Sequence, residues 1–292
     1  AYTTLITRAS YLPGVLILAH TLRKHSKLPL IVVYTSSLSI EALRALELES
    51  KLPSVNLILR KVNPLVPSEE GKLIAERFRD TWTKLRVFEL WESNDGKSWD
   101  GICYLDADIA IYGFIDDNDQ RLDRNRAILA ATPICCCNLD GDSWAPADWT
   151  KENCPYTAAV HPSSLKMTPS WEQGKPEPWK SLNGGVFVFQ PSKTLWESMM
   201  AAFDQWGREG KLAKMKFPDQ DFLSEFWRGR WKSLSWRYNA LKTMRYWHPD
   251  IWRDNEIVAL HYIVDKPWTA RIGEDGSAGY LGRDGETHKW WW

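Results

Sequence analysis

The first sixty residues alternate between short apolar runs and amphipathic segments, and this alternation limits the fold more than any other feature. Residues 30–34 (LIVVY) are an uninterrupted apolar run, as in a strand buried on both faces. Residues 2–7 and 55–59 predict two more strands, and residues 11–24 and 39–51 have helical spacing. Because strands that alternate with helices build βαβ units, we expect an α/β fold around a parallel sheet. Such sheets bind ligands beyond the carboxyl ends of their strands.

Length and charge narrow the classes of protein further. The 292 residues can bury a large core, and we predict a single domain over residues 1–292. Basic and acidic side chains number 37 each, whereas a nucleic-acid-binding protein normally has a basic excess. No apolar run has the length of a membrane span and the chain starts in a strand pattern, so we expect a cytoplasmic protein.

Two aspartates follow a short strand near the centre of the chain. Residues 102–105 (ICYL) predict the strand, and Asp106 and Asp108 come directly after it. Buried charge is costly unless it is paired or metal-bound, so these carboxylates indicate a site for a hard divalent cation and phosphate oxygens. The alternative is a solvated turn without a ligand. Thr7 and Tyr11 follow the first strand, which places them at the same edge of the sheet.

Nucleotide-binding glycine motifs are missing from the sequence. No Gly-x-Gly-x-x-Gly follows the first strand and no Walker-type loop occurs, which disfavours a dinucleotide enzyme and a P-loop kinase. Phosphates at this edge would therefore depend on a metal and on cationic side chains.

Three later segments place polar residues beside predicted elements. Asn183-Gly184-Gly185 precedes an apolar strand, where glycines let another group approach the backbone. Asp219-Gln220-Asp221 opens a helix, and helix capping accounts for only one of its acids. His261 ends a strand and would complete a two-aspartate, one-histidine set suited to Mn²⁺, with Lys266 as a cation for a diphosphate oxygen.

The sequence has five cysteines, which are Cys103, Cys135, Cys136, Cys137 and Cys154. They lack Cys-x-x-Cys spacing and their number is odd, which disfavours a disulfide framework. We interpret them as small buried side chains on a strand in a reducing compartment. A metal cluster that also uses His161 is the alternative.

Tryptophan is abundant, with 18 residues, and several lie in a segment without periodicity at about residues 135–180. A loop of this length inside a compact domain is usually functional or disordered. Because aromatic rings suit the apolar faces of sugars, we interpret the segment as an acceptor-binding lid. An ordered cap packed onto the domain is the alternative.

Taken in order, these motifs resemble those of the retaining family 8 glycosyltransferases, which include glycogenin, bacterial lipopolysaccharide galactosyltransferases and plant galactinol synthases. The matching residues span nearly the whole chain and are Thr4-Leu5-Ile6-Thr7…Tyr11, Thr83-Lys84-Leu85-Arg86, Leu105-Asp106-Ala107-Asp108, Asn183-Gly184-Gly185-Val186-Phe187-Val188-Phe189-Gln190-Pro191-Ser192, Asp219-Gln220-Asp221-Phe222-Leu223 and His261-Tyr262…Lys266-Pro267-Trp268. The resemblance implies a GT-A fold, a Rossmann-like nucleotide-diphospho-sugar transferase fold with a mostly parallel central sheet.

The same resemblance implies a UDP-sugar donor and Mn²⁺, or Mg²⁺ in its place, held by Asp106, Asp108 and His261. The implied donor-binding residues are Thr7, Tyr11, Arg77, Lys84, Asp106, Ala107, Asp108, Asn183, Gly184 and Lys266, with Arg79 fitting almost as well as Arg77. Asp219 and Gln220 are the implied catalytic residues. Because the amide of Gln220 is a poor nucleophile, we favour front-face attack, with Asp219 as the alternative nucleophile.

The implied activity is that of a hexosyltransferase that moves glucose or galactose to a hydroxyl acceptor, which is a polyol, a saccharide or a protein tyrosine. Gln220-Asp221-Phe222-Leu223 resembles the galactinol synthase branch. A non-catalytic UDP-sugar- or carbohydrate-binding protein is the alternative from another class, and a homodimer is left open. Two features depart from the family pattern. The usual glycine between His261 and Lys266 is missing, with Val264 in that region, and Arg8 replaces a smaller polar residue beside uracil.

Overall fold

The computed structural model describes residues 1–67, 80–91, 96, 98–114, 129–165 and 174–292. Its strands are β1 (Tyr2–Ile6), β2 (Leu30–Tyr34), β3 (Leu57–Lys61), β4 (Ile102–Leu105), β5 (Ile109–Ile111), β6 (Leu129–Pro133), β7 (Leu182–Phe189), β8 (Trp231–Ser233), β9 (Ala240–Leu241) and β10 (Ala259–His261). Its α-helices are α1 (Leu12–His25), α2 (Ile40–Glu49), α3 (Lys193–Arg208), α4 (Pro218–Phe226), α5 (Met244–Trp247) and α6 (Gly285–Lys289).

The described residues form a seven-stranded sheet in the order β3-β2-β1-β4-β7-β6-β8. The pairs β1–β2, β2–β3, β1–β4 and β6–β8 are parallel, whereas β7 runs antiparallel to both β4 and β6. The sheet is therefore mostly parallel, as predicted. A second sheet of three strands, β5-β10-β9, lies beyond the turn that follows β4.

The elements of the first sixty residues follow the predicted alternation. β2 has the predicted bounds and its central residues are fully buried, which explains its uninterrupted apolar sequence. Ser39 caps α2 by accepting a hydrogen bond from the Ala42 N–H at 3.2 Å. β3 begins two residues later than predicted, at Leu57.

Three predicted elements differ in the structure. The sequence of residues 76–91, with its spaced basic side chains, predicts a helix; this segment lies partly outside the described residues, and its described part is a 3-10 helix, Thr81–Glu89. The glycine pair Gly184–Gly185 lies inside β7 rather than before it. Residues 135–137 follow β6 instead of belonging to a strand, although their thiol side chains are buried as expected.

The turn between β4 and β5 is held to both sheets by backbone hydrogen bonds. The Asp106 N–H donates to the Gly185 carbonyl at 2.8 Å, and the Tyr262 N–H donates to the Asp108 carbonyl at 2.9 Å. Since β1 and β4 are parallel, their carboxyl ends share one edge, and the antiparallel β7 starts at that edge. Residues from β1, β4, β7 and β10 therefore meet there. Among the helices of the described residues, none combines the length and apolar character needed to cross a bilayer.

Candidate active site

A cleft of about 350 Å³ opens at this edge of the large sheet. Each predicted site residue that the structure describes lines it, namely Thr7, Tyr11, Lys84, Asp106, Ala107, Asp108, Asn183, Gly184, Asp219, Gln220, His261 and Lys266. Arg77 and its alternative Arg79 lie outside the described residues. The cleft therefore brings together side chains that are up to 259 positions apart, from Thr7 to Lys266.

The two aspartates and the histidine converge on one point of the cleft. His261 Nε2 lies 3.2 Å from Asp108 Oδ1 and 3.8 Å from Asp106 Oδ2. One donor atom from each residue lies within 4.8 Å of the others. His261 Nδ1 lies 2.9 Å from Asn239 Oδ1. Since Asn239 Nδ2 already donates to Thr132 and Asn183, its oxygen accepts the Nδ1 proton, which leaves the Nε2 lone pair free for a ligand.

This donor set fits a hard or borderline divalent cation such as Mn²⁺. It combines carboxylate oxygens with one imidazole nitrogen, and a second-shell amide orients the imidazole. No thiol belongs to the set, which separates it from a zinc-thiolate site.

Gly185 makes room for the His261 ring. A Cβ atom at Gly185 would lie 2.3 Å from His261 Cε1 and 2.7 Å from Nδ1, which is much closer than carbon atoms pack. The backbone angles of Gly185 are not left-handed, so its conformation does not require glycine. Glycine is required because the His261 ring approaches its backbone closely. The glycine pair therefore serves the purpose predicted from the sequence, with His261 as the approaching group.

Lys84 links the cation site to α4. Its Nζ lies 3.0 Å from Asp106 Oδ1 and 2.5 Å from Asp219 Oδ2, and it donates to the Gly184 carbonyl at 3.0 Å. Burial alone would lower the pKa of this amine, but the two carboxylates raise it above its ordinary value. Lys84 is therefore a fixed cation in the floor of the cleft.

Lys266, which is half-buried, forms a second ion pair with Oδ2 of the buried Asp108 and also donates to the Tyr262 carbonyl at 2.9 Å. Burial would raise the pKa of the Asp108 carboxyl, but the Lys266 ammonium group holds it well below its usual range. Asp108 therefore stays ionised, as a metal ligand must.

The acids at the start of α4 divide between two roles. Asp221 Oδ2 accepts the backbone N–H groups of Lys216 and Phe217 at 2.8 and 3.0 Å, so it satisfies the helix N-terminus. Asp219 instead points to Lys84, and burial raises its pKa despite that partner. Gln220 Oε1 accepts from the Gly184 N–H at 3.3 Å. Asp221 is thus the one acid that capping explains.

Sequence reasoning missed two polar residues behind the cation site. Tyr104 is buried in β4 and donates its hydroxyl to Asp106 Oδ1 at 2.7 Å. Asn239 connects His261 to Asn183 from the segment before β9. The sequence does contain a signal for Tyr104, because its polar hydroxyl group stands two residues before Asp106. No sequence signal connects Asn239 to His261.

Aromatic side chains form one wall of the cleft. Trp144 and Trp149 come from the Trp-rich segment and line the cleft together with Phe217. The rings of Trp149 and Phe217 stack with centroids 5.1 Å apart and planes at 10°. Trp171 of the same segment lies outside the described residues.

Comparison with known proteins agrees with this geometry. The family model described as Glycosyl transferase family 8 matches residues 3–271. Galactinol synthase 7 from Arabidopsis thaliana is 28% identical over 92% of this chain and 74% of the relative. Galactinol synthase 1 from Solanum lycopersicum is 26% identical over 92% of this chain and 73% of the relative.

A solved structure gives the fold. The galactosyltransferase LgtC in complex with donor and acceptor sugar analogs matches with a TM-score of 0.60 over 99% of this chain and 94% of that one, at 16% identity. The GT-A fold expected from the sequence is confirmed.

Proposed function

The chain belongs to glycosyl transferase family 8, and we therefore propose that it is a metal-dependent glycosyltransferase that moves a hexose from a UDP-sugar to a hydroxyl acceptor with retention of configuration. The observation that carries this proposal is the convergence of Asp106, Asp108 and His261 in a cleft that also holds the buried Lys84 and the half-buried Lys266. Carboxylates and an imidazole suit the cation, and Lys84 and Lys266 suit anionic oxygens. We further propose that residues 1–292 form one catalytic domain.

The leaving group is the diphosphate, so the site must stabilise negative charge. A divalent cation held by Asp106, Asp108 and His261 would act as a Lewis acid on the diphosphate oxygens, with Mn²⁺ favoured over Mg²⁺ because one ligand is imidazole. Lys266 can release Asp108 to that cation and offer its own ammonium group to a phosphate oxygen. Thr7 and Tyr11 line the same cleft, with the Tyr11 ring centroid 5.8 Å from Lys266 Nζ, which suits a nucleoside joined to that diphosphate.

The geometry favours front-face attack over a covalent intermediate. A covalent route needs a free carboxylate beneath the anomeric carbon. The Asp219 carboxylate is paired with Lys84 at 2.5 Å, and the neighbouring side chain, Gln220, is a neutral amide. In the proposed step the acceptor oxygen bonds to the anomeric carbon as the bond to the leaving phosphate breaks. The acceptor proton passes to that phosphate oxygen, while Asp219 and Gln220 position the sugar.

The galactinol synthases among the relatives favour a more specific second candidate, which is transfer of galactose to a polyol. Their names support galactose as the sugar and a small polyol as the acceptor. The wall of Trp144, Trp149 and Phe217 suits the apolar face of a ring-shaped acceptor. We propose that the segment at about residues 135–180 supplies this acceptor wall.

The proposal is tested by measuring UDP release from a panel of UDP-sugars, with Mn²⁺ or a chelator, first alone and then with polyol and saccharide acceptors. We expect one sugar to be turned over in a metal-dependent way and faster with the right acceptor. Asp108→Asn should lower this turnover by at least about 100-fold, because it removes a metal ligand rather than a second-shell partner. Asp204→Asn, on the exposed face of α3, is the matched control and should leave turnover unchanged.

Three results would count against the proposal. Turnover that survives both the chelator and Asp108→Asn would exclude the metal role. UDP-sugar binding without turnover with any acceptor would favour the non-catalytic binding protein. Failure to bind UDP would refute the nucleotide assignment.

A further inference from the structure

A second cluster of metal-binding side chains lies in the part of the structure that follows β6, separate from the aspartate–histidine set. The Sγ atoms of Cys135, Cys137 and Cys154 lie 3.3, 3.1 and 3.6 Å from His248 Nε2. The Sγ atoms of Cys135 and Cys154 are 4.0 Å apart. All four ligand atoms lie within 4.8 Å of one another, and all four residues are buried.

Hydrogen bonding does not explain this arrangement. A neutral imidazole Nε2 offers either one lone pair or one proton, so it can serve one thiol well. Here three sulfur atoms surround the same nitrogen. A disulfide does not explain it either, because the 4.0 Å between Cys135 and Cys154 Sγ is far longer than an S–S bond of about 2.05 Å.

A tetrahedral metal ion does explain the distances. With Zn–S bonds of about 2.3 Å and a Zn–N bond of about 2.0 Å, a tetrahedral zinc site separates its sulfurs by about 3.8 Å and sulfur from nitrogen by about 3.5 Å. The 3.1–3.6 Å sulfur–nitrogen distances and the 4.0 Å sulfur–sulfur distance lie close to these values. Three thiolates and one imidazole, buried without an open position, are the ligands of a structural rather than a catalytic zinc.

Within residues 135–137, the thiols point in different directions, so only two of the three cysteines are ligands. Cys135 and Cys137 direct their thiols to His248, while Cys136 between them contacts the Thr150 carbonyl at 3.7 Å. Cys103 lies in β4, in the large sheet. The predicted alternative partner, His161, lies instead 4.0 Å from Glu256. The ligands therefore come from three segments, which are the exit of β6, a turn at residue 154 and the end of α5.

From this geometry we infer that Cys135, Cys137, Cys154 and His248 bind a structural zinc ion that fixes the loop of residues 138–153 against the cleft. This loop consists of turns without a helix or strand, and it carries Trp144 and Trp149. Two ligands, Cys137 and Cys154, stand at its ends. Closing a flexible loop at its base reduces the conformations open to it, so the ion would hold both rings in the cleft wall.

Metal analysis of the purified full chain tests the inference directly. The protein is prepared without added zinc, dialysed against EDTA, and assayed by mass spectrometry of metals. We expect one zinc ion per chain in the wild type, in Cys103→Ser and in Cys136→Ser, and almost none in Cys137→Ser. Asp108→Asn should keep its zinc, which distinguishes this site from the proposed catalytic cation.

Three further measurements keep the test decisive if Cys137→Ser does not fold. Titration of the folded wild type with a mercurial thiol reagent should release one zinc ion per chain, and the cobalt-substituted protein should show thiolate-to-cobalt charge-transfer absorption. Loss of zinc should also speed cleavage by trypsin at Lys151, an exposed residue of the loop, because the backbone there is no longer fixed. A folded wild type without zinc, whose buried thiols react with a disulfide reagent, would overturn the inference. So would a Cys137→Ser variant that retains zinc.

Discussion

Replacing Gly185 by alanine should damage both the fold and the cation site. The new Cβ would lie 2.3 Å from His261 Cε1, whereas carbon atoms pack at about 3.5 Å, so the ring must move by about 1.2 Å. The ring has little freedom to do so, because it is 5% exposed and Asn239 Oδ1 holds its Nδ1 at 2.9 Å. We expect overpacking to lower the free energy of unfolding by about 1–3 kcal/mol.

The same displacement should weaken binding of the metal. Ligand distances in metal sites tolerate deviations of about 0.2 Å, and loss of ligand orientation typically costs about 10–100-fold in metal affinity. Urea unfolding measures the first effect, and the electron paramagnetic resonance signal of free Mn²⁺ measures the second. Gly101→Ala is the matched control, because the nearest atom to its Cβ would be 3.9 Å away. If both variants unfold at the same urea concentration, His261 does not pack on Gly185; if only Mn²⁺ affinity is unchanged, His261 is not a ligand.

Three further perturbations test single contacts. Val264→Gly should raise the free energy of unfolding by about 1 kcal/mol, because Val264 has a left-handed φ of 61°, whereas Val160→Gly, at an exposed site without that angle, should not stabilise. Tyr104→Phe should lower the free energy of unfolding, measured in urea, by about 2 kcal/mol, because the Tyr104 hydroxyl donates to the charged carboxylate of Asp106 at 2.7 Å. Burial raises the pKa of Asp221 to about 6. The folded state therefore binds the proton of this carboxyl group more tightly than the unfolded chain does. The stability of the wild type should fall as the pH rises from about 4 to about 6. Asp221→Asn, whose amide oxygen can accept the same N–H groups, should lose this part of the fall; identical pH profiles of unfolding would refute the assignment.

The elements that position the cleft were predictable because their signals are local. An apolar run such as Leu30–Tyr34 indicates a buried strand, and the bounds of β2 and β4 agree with the prediction. The convergence of Thr7 and Asp106 followed from a topological rule, since parallel strands end at one edge. These inferences need no knowledge of side-chain packing.

The different roles of the two acids at the start of α4 could be assigned only from the tertiary structure. Asp219 and Asp221 both lie in the first turn of the helix, and capping could explain either. The register of the helix against β7 and Lys84 decided it, because it directs Asp219 to the buried amine and leaves Asp221 to the backbone. Val264 shows the same limit, since only the fold reveals that this valine takes up a left-handed backbone angle.

By itself the sequence determined the α/β class, the main strands and the strand-end residues Asp106, Asp108 and His261, because hydrophobic periodicity and strand-end motifs are encoded over a few neighbouring residues. Only the tertiary structure decided which distant side chains meet. Asn239 lies behind His261, and His248 joins a cysteine cluster 94 to 113 residues earlier in the chain. Such meetings depend on how buried surfaces pack, and packing is a property of the whole core rather than of any local pattern.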